Sequence, residues 1–236
     1  MKKLLVTIIA IGMFLWNQYL SPTIQQHLPQ PNTQTAQTQT YEATIPEYTG
    51  KPYTILNKNI PTFTEEEIKN HRSIKLSSLD SLGRCGVTFS YLGPETLPKE
   101  KRKPIGMVRP SGWQLAKYDF VENRYVYHRS HLQGFQLTGI NADPRNLITG
   151  TQYLNVIGML PFENRTADYI KQSRNHVLYR VTPIFNETDL VARGVQMEAY
   201  SVEDNGRLHF NVFIHNVQPG LEINYKNGKT KAKNKK

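Results

Sequence analysis

Cysteine is nearly missing from this sequence: Cys85 stands alone among 236 residues. No intramolecular disulfide can form, so packed apolar side chains must hold the fold, and a chain of this length can supply them. A solitary thiol with no catalytic signature around it reads as a small buried hydrophobe. A phosphate-cradling glycine loop, a C-x-x-C pair, an H-E-x-x-H helix and a G-x-S-x-G elbow are all absent. The reactions those motifs announce therefore find no support. No internal repeat is evident, which speaks against a solenoid. Acid is scarce too, with 19 Asp and Glu against 29 Lys and Arg, a formal charge of +10.

The excess of base is unevenly placed. Lys2 and Lys3 open the chain, and Lys226, Lys229, Lys231, Lys233, Lys235 and Lys236 crowd its end. Without these eight lysines the charge of residues 4–225 is only +2. Within that balanced body one basic cluster remains: Lys99, Lys101, Arg102, Lys103 and Arg109. Such a pattern suits either a solvated loop and tail or an electrostatic footprint for a polyanion.

The chain holds one long apolar run, Leu4–Trp16, directly after the basic Met1-Lys2-Lys3. Its 13 residues are nearer the core of an export signal than a bilayer span of about 20. We read residues 1–20 as a signal peptide or a retained N-terminal anchor. Either places the body outside the cytoplasm, secreted or held at the outer face. Residues 21–44 are rich in Gln, Thr and Pro and have too little apolar surface to offset ordering entropy, which predicts a flexible stalk. The body is then 45–225, followed by a lysine-rich tail, 226–236.

Within the body, Thr64 before Glu65-Glu66-Glu67 predicts a capped helix start. Strands are expected over Cys85–Tyr91, Arg124–His128, Val177–Thr182, Val195–Val202 and Leu208–Val217, with a hairpin turn at Asp204-Asn205-Gly206. Arg109–Gly112 reads as a turn and Asn141–Pro144 as a loop. A short helix is expected over Thr149–Asn155, and a second one restarting at Pro161 and running to about Arg174. Strands, then helices, then strands predict an α+β fold with a largely antiparallel central sheet flanked by helices.

Chemistry concentrates in His128-Arg129-Ser130-His131, directly after a Tyr-rich strand. Alone, two histidines flanking an arginine fit a metal site, a general base or a polar surface. Downstream come Asn146, Asn155 and, eight residues later, Glu163. This ordered set resembles the DNA/RNA non-specific endonucleases, the ββα-metal nucleases, and within them the streptococcal secreted DNases. Their pattern is D-R-G-H at a strand end, an asparagine on the next helical segment and, in some members, a glutamate eight residues on. The likeness spans roughly Arg109 to Val217. It departs in two places, with His128 where the family has Asp and Ser130 where it has Gly.

The resemblance implies a ββα-metal nuclease fold and hydrolysis of DNA, with RNA as a further substrate, with little sequence preference. It makes His131 the general base, whose ordinary pKa near 6.5 suits proton transfer at neutral pH. Asn155 would be the sole direct protein ligand of Mg²⁺, with Mn²⁺ or Ca²⁺ as alternatives, and Glu163 would reach the ion through water. Products would carry 5′-phosphate ends. Arg109, Arg129 and Arg165 are candidate phosphate clamps, with Arg129 also a candidate at the reacting centre. His128 is either a second proton acceptor or a packing residue, and Asn146 fixes a loop more readily than it touches substrate. No small-molecule cofactor is implied, and a monomer is favoured. The competing reading is a basic surface protein that binds nucleic acid or host polyanions without cutting.

Overall fold

Residues 45–234 are described by the computed structural model. The apolar N-terminal run and the proposed stalk lie outside the described residues. No helix among the described residues is long and apolar enough to cross a membrane.

Side chains alternate between two faces along a strand, and three strands turn one apolar set to a shared face. Val177, Tyr179 and Val181 of β6 (Val177–Ile184) meet Val195, Met197 and Ala199 of β7 (Gly194–Ser201) and Phe210, Val212 and Ile214 of β8 (His209–His215) in one apolar cluster. Antiparallel register brings them opposite one another, as with Val181 across from Met197 and Met197 across from Val212. Around these lie β1 (Tyr53–Ile55), β2 (Ile74–Leu76) and β3 (Thr88–Leu92), giving an antiparallel six-stranded sheet of order β1-β8-β7-β6-β3-β2.

A long helix covers the apolar face. Its first part, Tyr153–Met159, is π-helical, and it continues as α3 (Leu160–Ser173). Leu154, Met159, Ala167 and Ile170 enter the same core as the strands. Truncating a side chain as buried as Ile170 to alanine should cost about 2–5 kcal/mol. The opposite face carries Arg180, Glu198 and Asn211 instead. They are met by the segment leading into α1 (Glu65–Asn70): Thr62 N–H donates to Glu198 Oε1 at 2.7 Å, and Asn211 Nδ2 donates to the Ile60 carbonyl at 2.9 Å. Thr64 and Glu67 close the expected cap reciprocally, at 3.1 and 2.9 Å.

A separate antiparallel hairpin pairs β4 (Tyr127–His131) with β5 (Leu147–Thr151), joined through the short α2 (Phe135–Thr138). Asn216 ties it to the main sheet. Its Oδ1 accepts from Thr151 N–H at 2.8 Å, and its Nδ2 donates to the Thr149 and Ala192 carbonyls. Hairpin then helix is the ββα unit, and the fold is the expected α+β arrangement with a largely antiparallel sheet.

Several boundaries move. Strand β4 starts at Tyr127 rather than Arg124, because Asn123 and Arg124 sit at φ 59° and 67°, a left-handed turn that ends extended pairing. Strand β3 starts at Thr88, not Cys85. The short helix expected over Thr149–Asn155 is largely strand. Ile148, Thr149 and Thr151 are β-branched and pair with β4, and Thr151 Oγ1 then accepts from Leu154 N–H at 2.9 Å to start the helix. That helix does not restart at Pro161. It runs through, because the π-turn bonds Leu160 N–H back to the Asn155 carbonyl and accommodates a ring with no N–H to give. The body boundary at 225 falls inside a hairpin, since β9 (Leu221–Ile223) pairs with β10 (Thr230–Ala232) within the lysine-rich segment.

Candidate active site

The ββα unit brings distant residues to one place. His131 ends β4, Asn155 lies in the first turn of the π-helical stretch, and Glu163 lies in the first turn of α3. All three line one cavity of about 310 Å³, with Arg102, Gly134 and Gln136. His131 is only 6 % exposed, and its Nε2 is 2.7 Å from the Asn141 carbonyl. A carbonyl only accepts, so Nε2 carries the hydrogen and Nδ1 keeps its lone pair. Burial pushes the imidazole below its ordinary value, the Asn141 carbonyl resists this, and the positive charge of Arg102 adds to the lowering. His131 is therefore neutral, and able to accept a proton, at neutral pH.

Glu163 faces the backbone of the loop after β4. A Cβ placed on Gly134 would lie 2.8 Å from its carboxyl carbon, so any larger residue there would displace the carboxylate from this position. Burial raises its pKa to about 7, offset in part by Gln136 and by the charge of Arg102. The loop itself is braced by Asn146. Fully buried, it accepts from Gln133 N–H at 2.8 Å and donates to the Gln133 carbonyl at 2.9 Å.

His128 contacts the other end of the Asn155 amide, with Nδ1 3.3 Å from Asn155 Nδ2. If that nitrogen accepts from the amide NH₂, the amide oxygen is left free for another partner. Burial and then Arg102 hold His128 below its usual pKa, against a smaller opposing pull from Glu122. Ser130, where a glycine stood in the resembled pattern, is fully buried beside Gly150, on which a Cβ would lie 2.2 Å from Ser130 Oγ. The extra side chain on one strand is thus accommodated by the missing one on its partner.

The arginines divide. Arg129 donates through Nε to the Val108 carbonyl and through Nη2 to the Gly106 carbonyl at 2.8 Å, and its guanidinium stacks on Trp113 at 4.1 Å. It pins the 106–108 loop and lines a second recess beside the cavity. Arg109 is exposed, close enough to Arg129 to lower its pKa, after burial, by repulsion. Arg165 is exposed two positions along the helix from Glu163, a rotation of about 200°. Neither Arg109 nor Arg165 lines the cavity. Arg102 does, and it also lines the second recess. Its only sign in the sequence was membership of the basic cluster at 99–109. Cys85 is buried, shares its one S–H between the Pro144 and Leu147 carbonyls, and has a thiol pushed up to about 12, so it is no nucleophile.

Among the described residues no group of three or more His, Cys, Asp or Glu could cage a metal. The oxygen donors at the cavity are the side-chain amides of Asn155 and Gln136 and the Glu163 carboxylate, a set that suits a hard cation retaining most of its water.

Comparisons with known proteins converge on one family. A model described as DNA/RNA non-specific endonuclease matches residues 64–203. Among solved structures, NucA from Streptococcus agalactiae with magnesium bound superposes with a TM-score of 0.66 at 23 % identity, over 78 % of this chain and 93 % of that one. Sda1 nuclease with bound zinc gives 0.60 at 26 % identity, over 78 % of this chain and 97 % of that one. A protein described as an extracellular endonuclease gives 0.55 at 23 % identity, over 79 % of this chain and all of that one.

Proposed function

Because the chain belongs to the DNA/RNA non-specific endonuclease family, we propose that it is an exported enzyme that hydrolyses DNA, and RNA as well, with His131 as general base and one Mg²⁺ held by Asn155. The observation that carries this reading is the shared cavity. His131, with its Nε2–H committed to Asn141, and Asn155, with its amide nitrogen toward His128, line the same space.

A phosphodiester resists attack because its anionic oxygens repel nucleophiles and its leaving alkoxide is poor. His131 Nδ1 takes a proton from a water, the resulting hydroxide oxygen bonds to phosphorus, and the P–O3′ bond breaks as the 3′ oxygen gains a proton from solvent. The products are a 5′-phosphate and a 3′-hydroxyl. Asn155 would bind a divalent cation through its amide oxygen, with Glu163 holding one of the cation's waters. Such a cation offsets the charge that develops on phosphate and on the leaving oxygen. Arg102 adds a fixed positive charge at the same place. His128 positions Asn155; a neutral ring there, in place of a carboxylate, leaves the site with less negative charge to attract the ion.

Low sequence preference follows where binding energy comes mainly from phosphates, which carry no base information. Export rests on the N-terminal basic and apolar pattern. The test is incubation of supercoiled plasmid with the protein in Mg²⁺ and in EDTA, followed by ligation of the products. Cleavage in Mg²⁺ alone, with ends that ligate without prior phosphorylation, is expected. A shifted but intact plasmid under both conditions contradicts the proposal.

A further inference from the structure

Beside the catalytic cavity lies a second recess of about 360 Å³, walled by Ile105, Trp113, Leu115 and Tyr125 and sharing Arg102 and Asn155 with the cavity itself. We propose that this recess receives one unpaired nucleobase of the strand being cut, next to the scissile phosphate. The inference rests on the nuclease reading and extends it to a preference among substrates.

Position is the first argument. Arg102 and Asn155 line both spaces, so the recess adjoins any phosphate held between His131 and Asn155. Composition is the second. The walls are aromatic and aliphatic, the rim is cationic, and base faces stack on such surfaces whatever their sequence. Leu115 is 73 % and Tyr125 43 % exposed, apolar surface that water solvates poorly and a base would cover. Rigidity is the third. Arg129 stacks on Trp113 and holds the 106–108 loop through two carbonyls, so the wall is set before substrate arrives. Lys117 lies over the Tyr125 ring at 4.6 Å, adding positive charge near the recess. A base inside a duplex has both faces stacked and must leave the helix to enter. Single strands and breathing duplexes should therefore be preferred over stable duplex.

The test uses the full chain carrying His131→Ala to block cleavage and Trp16→Phe, which leaves Trp113 as the only tryptophan of the two. Binding of a short oligothymidylate is compared with that of an abasic oligomer of equal length and charge in Mg²⁺. The thymidylate should bind about tenfold more tightly, as one stacked base warrants, and should change Trp113 emission where the abasic oligomer does not. Adding Leu115→Ser with Tyr125→Ser should reduce that discrimination to within about twofold, leaving affinity for the abasic oligomer unchanged. Equal affinity for the two oligomers, or discrimination that survives the double substitution, overturns the inference. Plasmid cleavage by the unsubstituted protein, run alongside, separates this failure from failure of the nuclease reading.

Discussion

Two groups of partly buried charge lie on opposite faces of the six-stranded sheet, and they are finished differently. On the polar face Arg180 donates to Glu198 at 2.9 Å, to Glu67 at 3.0 Å and to Thr62 at 2.8 Å, while Glu198 also accepts from Thr62. Both signs are present, and the hydrogen-bonding capacity is used within the protein. On the helix side Glu163, His131 and Asn155 share a cavity in which, among the described residues, Arg102 is the only cation. There the Glu163 carboxyl is raised to about 7 by burial, and one imidazole nitrogen is left without a hydrogen. A network closed upon itself holds the fold; a cluster with unused donors and acceptors has capacity left for a ligand.

The sharpest way to break the contrast is His131→Ala. Turnover should fall by about 10²–10⁴, measured as initial plasmid nicking, while thermal stability and DNA binding stay near those of the parent. Turnover close to normal would remove His131 as the base. Next in size is Glu198→Ala, which leaves Arg180 without its buried partner. A loss of about 3–5 kcal/mol in denaturant unfolding is expected, with kcat little changed in whatever fraction remains folded.

The remaining two sharpen the contrast by pH and by charge. The Glu163 carboxyl, at about 7 against an ordinary 4.5, is protonated in the metal-free protein below neutrality. Cation affinity should therefore weaken about tenfold per pH unit below 7, and Glu163→Gln should flatten the slope in calorimetric titrations. The sign for stability is the reverse. The folded state binds more protons between pH 4.5 and 7, so metal-free protein should lose stability as pH rises through that window. Smallest is His128→Asp, which returns a negative charge beside Asn155. A fewfold tighter Mg²⁺ requirement is expected, on the order of 1 kcal/mol, and a weaker one would assign His128 a task of its own.

Much of this was legible in the chain. Runs of β-forming residues marked β6, β7 and β8, and Thr64 ahead of three glutamates marked the capped helix. The Asn155–Glu163 spacing spans a π-turn that holds both residues on one cavity, which neither propensity nor spacing reveals. Pro161 read as a restart because a π-turn hides the missing N–H. Strand β5 read as helix because its pairing to β4 is tertiary. Arg102 was legible only as one of the basic cluster, since such a cluster carries no sign of which member borders a cavity. Arg109 and Arg165, expected as phosphate clamps, do not line the cavity. Asn216, which joins hairpin to sheet, is one asparagine among many until its three partners are seen.

Under the proposed function the Asn155 amide, not the His131 imidazole, holds the metal. Calorimetric titration of Mn²⁺ into the parent, Asn155→Ala and His131→Ala proteins tests it directly. Binding should be lost in Asn155→Ala and retained in His131→Ala; full affinity in Asn155→Ala, or its loss in His131→Ala alone, would contradict it.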